Sequence, residues 1–272
     1  MFRKNLFFTL IFSFFILGAC SQEFPEEEGS QLQVDVPAEI NIEITEVADN
    51  LLKLAAEGLS PRYTQRPKNQ VVSSYQSLSD QELQDSTDAD VDLNGLVENS
   101  ARKIGEDLYY VKKQKVDTNL EKFSVYKNNE SVYEFSSEPL TSYSPLISVR
   151  VIENKYTVEY IEKMYSRSLK TFLEKQRIWQ DGVGEITQHY GLQNAIVPYE
   201  ANGKMVFLAQ KNDKWHVMYD GKQISEEFER IDFGYCCEPA KYMPKAFNYR
   251  YYVFFATQDS KQKLVEVDLG GT

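Results

Sequence analysis

The sequence predicts a mainly β (α+β) fold of antiparallel hairpin repeats, propeller-like or arranged as a meander or sandwich, with one or two helices. After about residue 106 the chain alternates short aromatic and β-branched runs with polar turns, as β-strands require. Pairs of such runs recur four times at intervals of about 40 to 60 residues, which indicates a degenerate internal repeat. The 18 tyrosines and 16 phenylalanines fit sheet cores, and also carbohydrate or peptide grooves.

The N-terminus has the pattern of an export signal. Two basic residues, Arg3 and Lys4, precede an uncharged apolar stretch from Leu6 to Leu17, and small residues follow. This order of basic, apolar and small residues is typical of a secretory signal. About a dozen apolar residues are too few to span a hydrocarbon core, which needs roughly 20. We therefore expect residues 1–19 to be a signal peptide rather than a permanent transmembrane anchor.

The four residues Leu17-Gly18-Ala19-Cys20 resemble the lipobox of bacterial lipoproteins. In that family the cysteine sulfur receives a diacylglycerol, the peptide is cut just before the cysteine, and the new amino group is acylated. The resemblance implies lipidation at Cys20 and attachment to a membrane through two or three acyl chains, which together give stable anchoring. An ordinary signal peptide cut nearby, or a buried apolar segment, is the alternative.

Residues 20–38 are expected to form an acidic tether, because they contain too little apolar surface to fold. The cluster Glu26-Glu27-Glu28 resembles, in composition, the surface-export signal of some Bacteroidetes lipoproteins. Ser21 stands where the inner-membrane retention signal of enteric bacteria has aspartate. These features favour the cell envelope as location, with the outer membrane preferred over the inner membrane and exposure at the cell surface as a further expectation.

The acidic composition limits the partners. The chain has 30 basic and 41 acidic residues and a net charge of −11, and such a surface repels phosphate backbones and anionic lipid headgroups. Nucleic acid is therefore not expected as a partner, whereas a protein or a glycan is. The cysteines other than Cys20 are the neighbours Cys236 and Cys237, which could form a vicinal disulfide, pair between molecules or remain buried thiols.

Residues 39–100 are predicted to contain one amphipathic helix followed by a polar linker. Apolar side chains from Ile40 to Ala55 recur at spacings of three and four, which makes one helical stripe. Gly58 and Pro61 then supply a stop. From Ser60 to about Ser86 the chain is rich in Ser, Gln, Pro and Asp, as in a linker or a loosely held loop.

Residues 101–272 are predicted to form the β-rich domain with its degenerate hairpin repeats. Four sets of strand-like runs are each joined by a short polar turn. The runs are Leu108 to Val111, Phe123 to Tyr126 and Val132 to Phe135; Ile147 to Ile152 and Tyr156 to Ile161; Met205 to Ala209 and Trp215 to Tyr219; and Tyr251 to Ala256 and Leu264 to Val267. The turns are placed at Asn128-Asn129, Glu153 to Lys155, Lys211 to Lys214 and Gln258 to Lys261.

One of these sets resembles a known repeat. The stretch from Lys214 to Lys222, followed by Phe228 and Ile231, resembles a blade of WG-type or β-propeller-like repeats. In such repeats an aromatic strand runs into a glycine turn and the next strand returns. The resemblance implies a blade-like unit, although an antiparallel meander or a sandwich gives the same pattern.

A single stretch within the β-rich region has helical spacing. The apolar positions between Val158 and Leu173 are three or four residues apart for most of its length. We therefore expect a helix inserted between strands there. Another hairpin is the alternative.

The sharpest local motif lies between the linker and the β-rich region. Asp90, Asp92, Asn94 and Glu98, with a glycine after Asn94, resemble the first nine positions of an EF-hand calcium loop. Ala101 stands at the twelfth position, where that family has a bidentate carboxylate. The resemblance implies calcium as a cofactor; the alternative is an acidic turn ahead of the main domain.

The catalytic motifs that we sought do not occur in the sequence. A Ser-His-Asp arrangement needs an imidazole base, and the chain has His189 and His216 without a Gly-x-Ser-x-Gly motif. We therefore expect a lipid-anchored envelope protein with a β-rich binding or structural module, and the alternatives are an envelope hydrolase acting on glycan or peptide and a calcium-dependent adhesion module. The aromatic residues chosen as ligand-binding candidates, which would otherwise belong to the core, are Trp179, Trp215, Tyr219 and Tyr235.

Overall fold

The computed structural model confirms a mainly β fold of antiparallel hairpins. The structure describes residues 40–46, 77–85, 94–141, 143–235 and 243–270. These residues all belong to one compact unit, which begins at Val34. They form four antiparallel sheets and two short helices. Cys20, Cys236 and Cys237 lie outside the described residues, as do the signal peptide and tether predicted for residues 1–38.

The first strand, β1 (Asn41–Glu46), corrects the helix predicted from Ile40 to Ala55. The helix prediction is wrong over β1, and residues 47–55 lie outside the described part of the chain. The apolar residues Ile42 and Ile44 alternate with polar ones, which is a strand pattern of period two. Both isoleucines pack against a core formed by later strands. The open edge of a sheet elsewhere in the chain thus decides the conformation of this segment.

Helix α1 (Asp80–Asp85) begins at a capping box. The Ser79 hydroxyl accepts the backbone N–H of Glu82 at 3.3 Å, and the Glu82 carboxylate accepts the backbone N–H of Ser79 at 2.8 Å. Leu83 is fully buried against the outer face of the first sheet. The strands of that sheet are β2 (Arg102–Ile104), β3 (Asp107–Asp117), β4 (Leu120–Lys127) and β5 (Glu130–Ser137), paired in that order.

The second sheet corrects the helix predicted between Val158 and Leu173. That stretch is a long antiparallel hairpin, so the hairpin alternative is confirmed. Its apolar residues lie opposite one another across the two strands, with Met164 facing Leu173 and Tyr165 facing Phe172. The strands of this sheet are β6 (Leu146–Ile152), β7 (Lys155–Ser166), β8 (Thr171–Gln180) and β9 (Gly184–Glu185), paired in that order.

The third sheet begins after the short helix α2 (Ile186–His189). Its central strands contain the predicted third hairpin, which is confirmed. A bulge interrupts the pairing between Ile196 and Tyr199, and Val197 there has a φ of 53°. The strands are β10 (Asn194–Ala201), β11 (Lys204–Lys211), β12 (Lys214–Tyr219) and β13 (Lys222–Gln223), paired in that order.

The fourth sheet joins the two ends of the described chain. Its strands from the C-terminal region are β14 (Arg230–Ile231), β15 (Lys245–Phe247), β16 (Tyr251–Gln258) and β17 (Lys261–Asp268). β16 pairs with β14, β15 and β17, and β1 completes the sheet by pairing antiparallel with β17. The Glu46 carboxylate lies 2.9 Å from the Lys261 ammonium across this pair, so charge as well as backbone hydrogen bonding matches the two strands.

The four predicted turns all have the same backbone conformation. The pairs Asn128-Asn129, Glu153-Asn154, Asn212-Asp213 and Asp259-Ser260 have positive φ at both residues. Two successive positive φ values characterise the type I′ turn, whose twist matches that of the flanking strands. Asparagine and aspartate tolerate this region better than most residues, which explains why the sequence marks these turns correctly.

Successive sheets are held together by apolar layers. Strands β7 and β11 each contain a long run of consecutive buried residues, so both faces of these strands are covered. A sheet that is covered on both faces can pack between two neighbouring sheets. Layer A joins the first and second sheets, layer B joins the second and third, and layer C joins the third and fourth. No buried apolar cluster of described residues joins the fourth sheet to the first. Layer A contains Tyr109, Val111, Phe123, Val125, Phe135, Leu146, Tyr156, Val158, Tyr160 and Trp179.

Candidate functional site

A cleft of about 600 Å³ lies where the first and second sheets meet at layer A. Strands β3 to β5 of the first sheet contribute one wall, and strands β7 to β9 of the second sheet contribute the other. A volume of this order is within the range of small-molecule sites. The lining residues are Val116, Leu120, Lys122, Tyr133, Glu134, Phe135, Ser136, Tyr160, Glu162, Arg177 and Glu185.

The base of the cleft is aromatic. The Phe135 and Tyr160 rings stack with centroids 4.0 Å apart, and the Tyr133 ring stacks on Trp179 at 5.1 Å. Phe135, Tyr160 and Trp179 are buried, while Tyr133 is half-buried and is the ring most open to the cleft. The arrangement follows from alternation along β5, because Tyr133 and Phe135 are two residues apart and point to the same face.

Two tyrosine hydroxyls place a polar group within this aromatic base. The hydroxyl oxygens of Tyr133 and Tyr160 lie 2.5 Å apart and form a hydrogen bond. Burial raises the pKa of both hydroxyls above the usual tyrosine value, and the neighbouring Tyr133 raises that of Tyr160 further. Both are therefore neutral at physiological pH, so that the base of the cleft offers hydrogen bonding without charge.

The second sheet supplies a charged wall centred on Arg177. The Nε atom of Arg177 lies 3.9 Å from a Glu162 carboxylate oxygen and 4.0 Å from a Glu185 carboxylate oxygen. Nη1 donates to the Thr187 hydroxyl and to the Gln193 carbonyl, both at 2.9 Å. The guanidinium is thus fixed in orientation, and two carboxylates converge beside it.

Glu185 is positioned by its role as the N-cap of helix α2. Its carboxylate accepts the backbone N–H groups of Thr187 at 2.9 Å and Gln188 at 3.3 Å. A side chain held in this way keeps one orientation with little freedom to rotate. The cap therefore presents a preoriented carboxylate to the cleft.

The first sheet supplies an opposing ion pair. The Lys122 ammonium lies 2.8 Å from the Glu134 carboxylate, which also accepts the Ser124 hydroxyl at 3.1 Å. The hydrogen bond from Lys122 is the main cause that holds the pKa of Glu134 below its usual value. Both side chains are substantially exposed, so the pair adds little to stability but remains accessible to a ligand.

Of the four aromatic residues predicted to bind a ligand, Trp179 lies nearest this cleft. It is 5% exposed and lies behind Tyr133, which covers it from the cleft. Trp215 and Tyr219 belong to β12 and pack against layer C, and the Tyr219 hydroxyl donates to the Ala201 carbonyl at 3.3 Å. The structure therefore does not bring these three residues together.

Tyr235, the fourth candidate, belongs to a separate buried polar cluster. Its hydroxyl donates to the Glu159 carboxylate at 3.0 Å, and burial raises the pKa of Tyr235 well above its usual value. Glu159 is 1% exposed and also accepts the Val197 backbone N–H at 2.7 Å and the Ser148 hydroxyl at 2.9 Å. This carboxylate links the second and third sheets and supports the bulged backbone at Val197.

Only part of the predicted calcium loop lies within the described residues. Asn94 and Glu98 are exposed in turns, whereas Asp90 and Asp92 lie outside the described part of the chain. The presence of glycine at position 95 has a structural explanation, because a Cβ atom there would lie 2.3 Å from the Lys113 carbonyl oxygen. No group of three or more His, Cys, Asp or Glu side chains in the described residues is arranged to hold a metal ion. Calcium binding stays a prediction.

Neither histidine lines the cleft. His216 is 5% exposed, its Nδ1 atom has no hydrogen-bond partner, and burial lowers its pKa. His189 ends helix α2, where its ring meets that of Tyr190 edge-on at 4.6 Å.

The residues that form the cleft were missed by the sequence analysis, although part of the signal was present. Arg177 and Trp179 are two residues apart on β8, so the sequence places a charged and an aromatic side chain on the same sheet face. Nothing in the sequence pairs that face with Tyr133, because the two strands are far apart along the chain.

Comparison with known proteins gives no relative from which a function could be transferred. No family model, no curated protein and no solved structure matches the chain. Within the described residues, no helix has the length and apolar composition needed to cross a membrane. The cleft itself is therefore the basis for a functional proposal.

Proposed function

We propose that this chain is a lipid-anchored cell-envelope protein whose β-rich module binds a glycan in the cleft between its first two sheets. The location rests on the lipobox resemblance at Cys20. The binding role rests on one structural observation, the aromatic cleft bordered by fixed charged groups.

The chemistry of the lining favours a glycan over an apolar ligand. A sugar ring has an apolar C–H face that can stack on an aromatic ring, and the half-buried Tyr133 is the ring most open to the cleft. The hydroxyl groups of the sugar both donate and accept hydrogen bonds. Glu162 and Glu185 supply acceptors, and Arg177 supplies donors. Hydrogen bonds to charged groups are about twice as strong as those between neutral groups, which suits a ligand with many hydroxyls.

The binding test uses the tryptophan beside the cleft as its reporter. The chain contains two tryptophans, so a Trp215→Phe background leaves the emission of Trp179 alone. Protein comprising residues 21–272, which keeps every described residue, is titrated with hexasaccharides of glucose, xylose and N-acetylglucosamine. We expect one of these neutral oligosaccharides to change Trp179 emission saturably, with a matching calorimetric heat.

Matched variants separate stacking from hydrogen bonding. Tyr133→Ala removes the ring and is expected to weaken binding by about ten-fold or more, whereas Tyr133→Phe keeps the ring and should lose less. Tyr165→Ala, which removes an exposed ring away from the cleft lining, should not affect binding. Equal affinity of the Tyr133→Ala variant and the parent would rule out the cleft as the binding site.

A hydrolase is the second candidate, because Glu162 and Glu185 converge in the cleft. Glycoside hydrolysis needs one carboxyl group that retains a proton and a second that is ionised. Here both carboxylates lie beside the same guanidinium, 3.9 and 4.0 Å from Arg177 Nε. Product analysis after long incubation with the same hexasaccharides decides between the two functions. Cleavage that disappears in the Glu162→Gln and Glu185→Gln variants would replace the binding proposal with the hydrolase.

The anchor is tested separately in cells. Replacing Cys20 with serine should abolish incorporation of labelled palmitate and release the protein from the membrane fraction. A variant that still incorporates the label would contradict the lipobox assignment.

A further inference from the structure

The end of the β7–β8 hairpin carries an unusual concentration of exposed apolar side chains. Eight large hydrophobic residues are exposed in the described part of the chain, and five of them lie between Met164 and Leu173. Leu169, in the turn, is the most exposed of all at 63%. The five residues are Met164, Tyr165, Leu169, Phe172 and Leu173.

These side chains occupy both faces of the hairpin. Tyr165 and Phe172 lie opposite each other and pack edge-on at 5.3 Å, while Met164 and Leu173 form the next pair on the other face. A docking site on another protein would cover one face and leave the other in water. Apolar side chains on both faces and at the turn fit a medium that surrounds the hairpin.

The charge of the hairpin end is opposite to that of the chain. Residues 162–175 include four basic and two acidic residues, whereas the whole chain has a net charge of −11. Arg167 and Lys170 flank Leu169 in the turn. Lys163 lies with its ammonium 4.8 Å above the Phe172 ring and 4.0 Å from the Glu174 carboxylate, so Arg167 and Lys170 carry the net positive charge of the hairpin end. Basic residues beside exposed apolar and aromatic ones are typical of segments that bind anionic membrane surfaces.

We propose that the end of the β7–β8 hairpin, from Met164 to Leu173, inserts into the headgroup region of an anionic phospholipid membrane. The turn is followed by three residue pairs, Ser166–Thr171, Tyr165–Phe172 and Met164–Leu173, which extend roughly 10 Å at about 3.3 Å per residue and match the depth of interfacial insertion. The Tyr165 N–H donates to the Glu138 carboxylate at 3.2 Å, and this polar contact together with the backbone edges of a two-stranded hairpin needs water, so the insertion stops short of the hydrocarbon core. This contact is independent of the proposed acyl anchor and glycan site.

Vesicle binding of the non-lipidated protein tests the proposal. Protein comprising residues 21–272 lacks Cys20 and the apolar N-terminal stretch, so membrane binding cannot come from either. It is sedimented with vesicles of phosphatidylcholine alone and with vesicles containing about 30% phosphatidylglycerol. We expect binding to the anionic vesicles and at least about ten-fold weaker partition of a Leu169→Ser/Phe172→Ser variant, because two exposed apolar side chains are removed.

Further variants identify the mode of binding. Arg167→Gln and Lys170→Gln should each reduce partition roughly five-fold, and added salt should have a similar effect. A Tyr165→Trp reporter in a Trp179→Phe/Trp215→Phe background should show a blue shift in emission on anionic vesicles. The control is Val132→Ser, which removes an exposed apolar residue from β5 and should leave partition unchanged.

Three results would overturn the membrane assignment. The first is failure of the parent protein to sediment with anionic vesicles. The second is equal partition of the Leu169→Ser/Phe172→Ser variant, provided that its thermal unfolding is unchanged. The third is a concentration-dependent dimer in light scattering that the same double variant abolishes, since the hairpin would then bind a second copy of the chain.

Discussion

Layers A and C each join two antiparallel sheets, but they differ in residue composition. Layer C contains fifteen buried residues, of which Phe228, Tyr252 and Phe254 are aromatic. Layer A contains ten buried residues, and six of them are aromatic. The buried side chains of layer C are mostly aliphatic, whereas large flat rings in layer A stack in pairs and border a cleft. The comparison teaches that repeated hairpins provide the scaffold, and that the candidate cleft lies at the layer with the larger share of aromatic side chains.

The largest expected difference between the layers is in the free energy of unfolding that is lost when a buried phenylalanine is replaced by alanine. Phe254 is fully buried in layer C, and Phe254→Ala should lower the free energy of unfolding by about 4 kcal/mol. Phe135 borders the cleft, so water can enter the space left by Phe135→Ala and the loss should be nearer about 3 kcal/mol. Denaturant unfolding of the two variants measures the difference. A larger loss for Phe135→Ala than for Phe254→Ala would contradict the expectation that water enters the space left at Phe135.

Loss of the Glu159 carboxylate, which links the second and third sheets, should lower the free energy of unfolding almost as much. Glu159→Leu leaves the buried Val197 N–H and two hydroxyls without their acceptor, and we expect a loss of about 3 kcal/mol. Glu159→Gln keeps an acceptor oxygen, and its amide can donate to Ser148, so the loss should be about 1 kcal/mol or less. Denaturant unfolding and amide hydrogen exchange at Val197 measure both. Similar losses for the two variants would mean that charge, rather than hydrogen bonding, is what the cluster requires.

Alkaline pH should lower the free energy of unfolding through the buried tyrosines of layer A. Burial raises the pKa of Tyr156 and Tyr160, so the folded chain keeps protons that the unfolded chain releases near pH 10. The contribution of these two tyrosines to the free energy of unfolding should therefore be constant below about pH 10 and fall above it, by up to about 1.4 kcal/mol per pH unit for each group. Tyr156→Phe and Tyr160→Phe should each reduce that slope in denaturation measured between pH 9 and 12. The exposed Tyr165→Phe is the control, and an unchanged slope in the first two variants would contradict the assignment.

The smallest effect concerns the hydroxyl pair at the base of the cleft. Tyr133→Phe removes one partner of the hydrogen bond to Tyr160 and should lower the free energy of unfolding by about 1 kcal/mol. Phe135→Tyr is not a suitable control because it adds a group to a buried position. Ser131→Ala, on the same strand but exposed, is the appropriate one. A loss well above that of Phe135→Ala would show that the hydroxyl pair organises the whole layer.

How far the sequence predicted the fold depended on the range of the interactions. The four hairpins and their turns were predictable because the signal is local, as in Asn128-Asn129, where residue type and positive φ agree. The segment from Asn41 to Glu46 was mistaken for a helix, since three isoleucines at positions 40, 42 and 44 fit both periods in part. The helix prediction between Val158 and Leu173 was wrong for the same reason. Only pairing with a distant or opposing strand resolves such ambiguity.

By itself the sequence determined the hairpin repeat, its turns, the acidic charge and the residue types available for a site. Only the tertiary structure decided that Tyr133, Arg177 and Glu185 lie around one cleft, and that β1 closes the last sheet against β17. The physical reason is that turn conformation depends on neighbouring residues. Which faces meet across a layer depends instead on side chains separated by tens of residues, and their alternation along a strand fixes a face but not its partner.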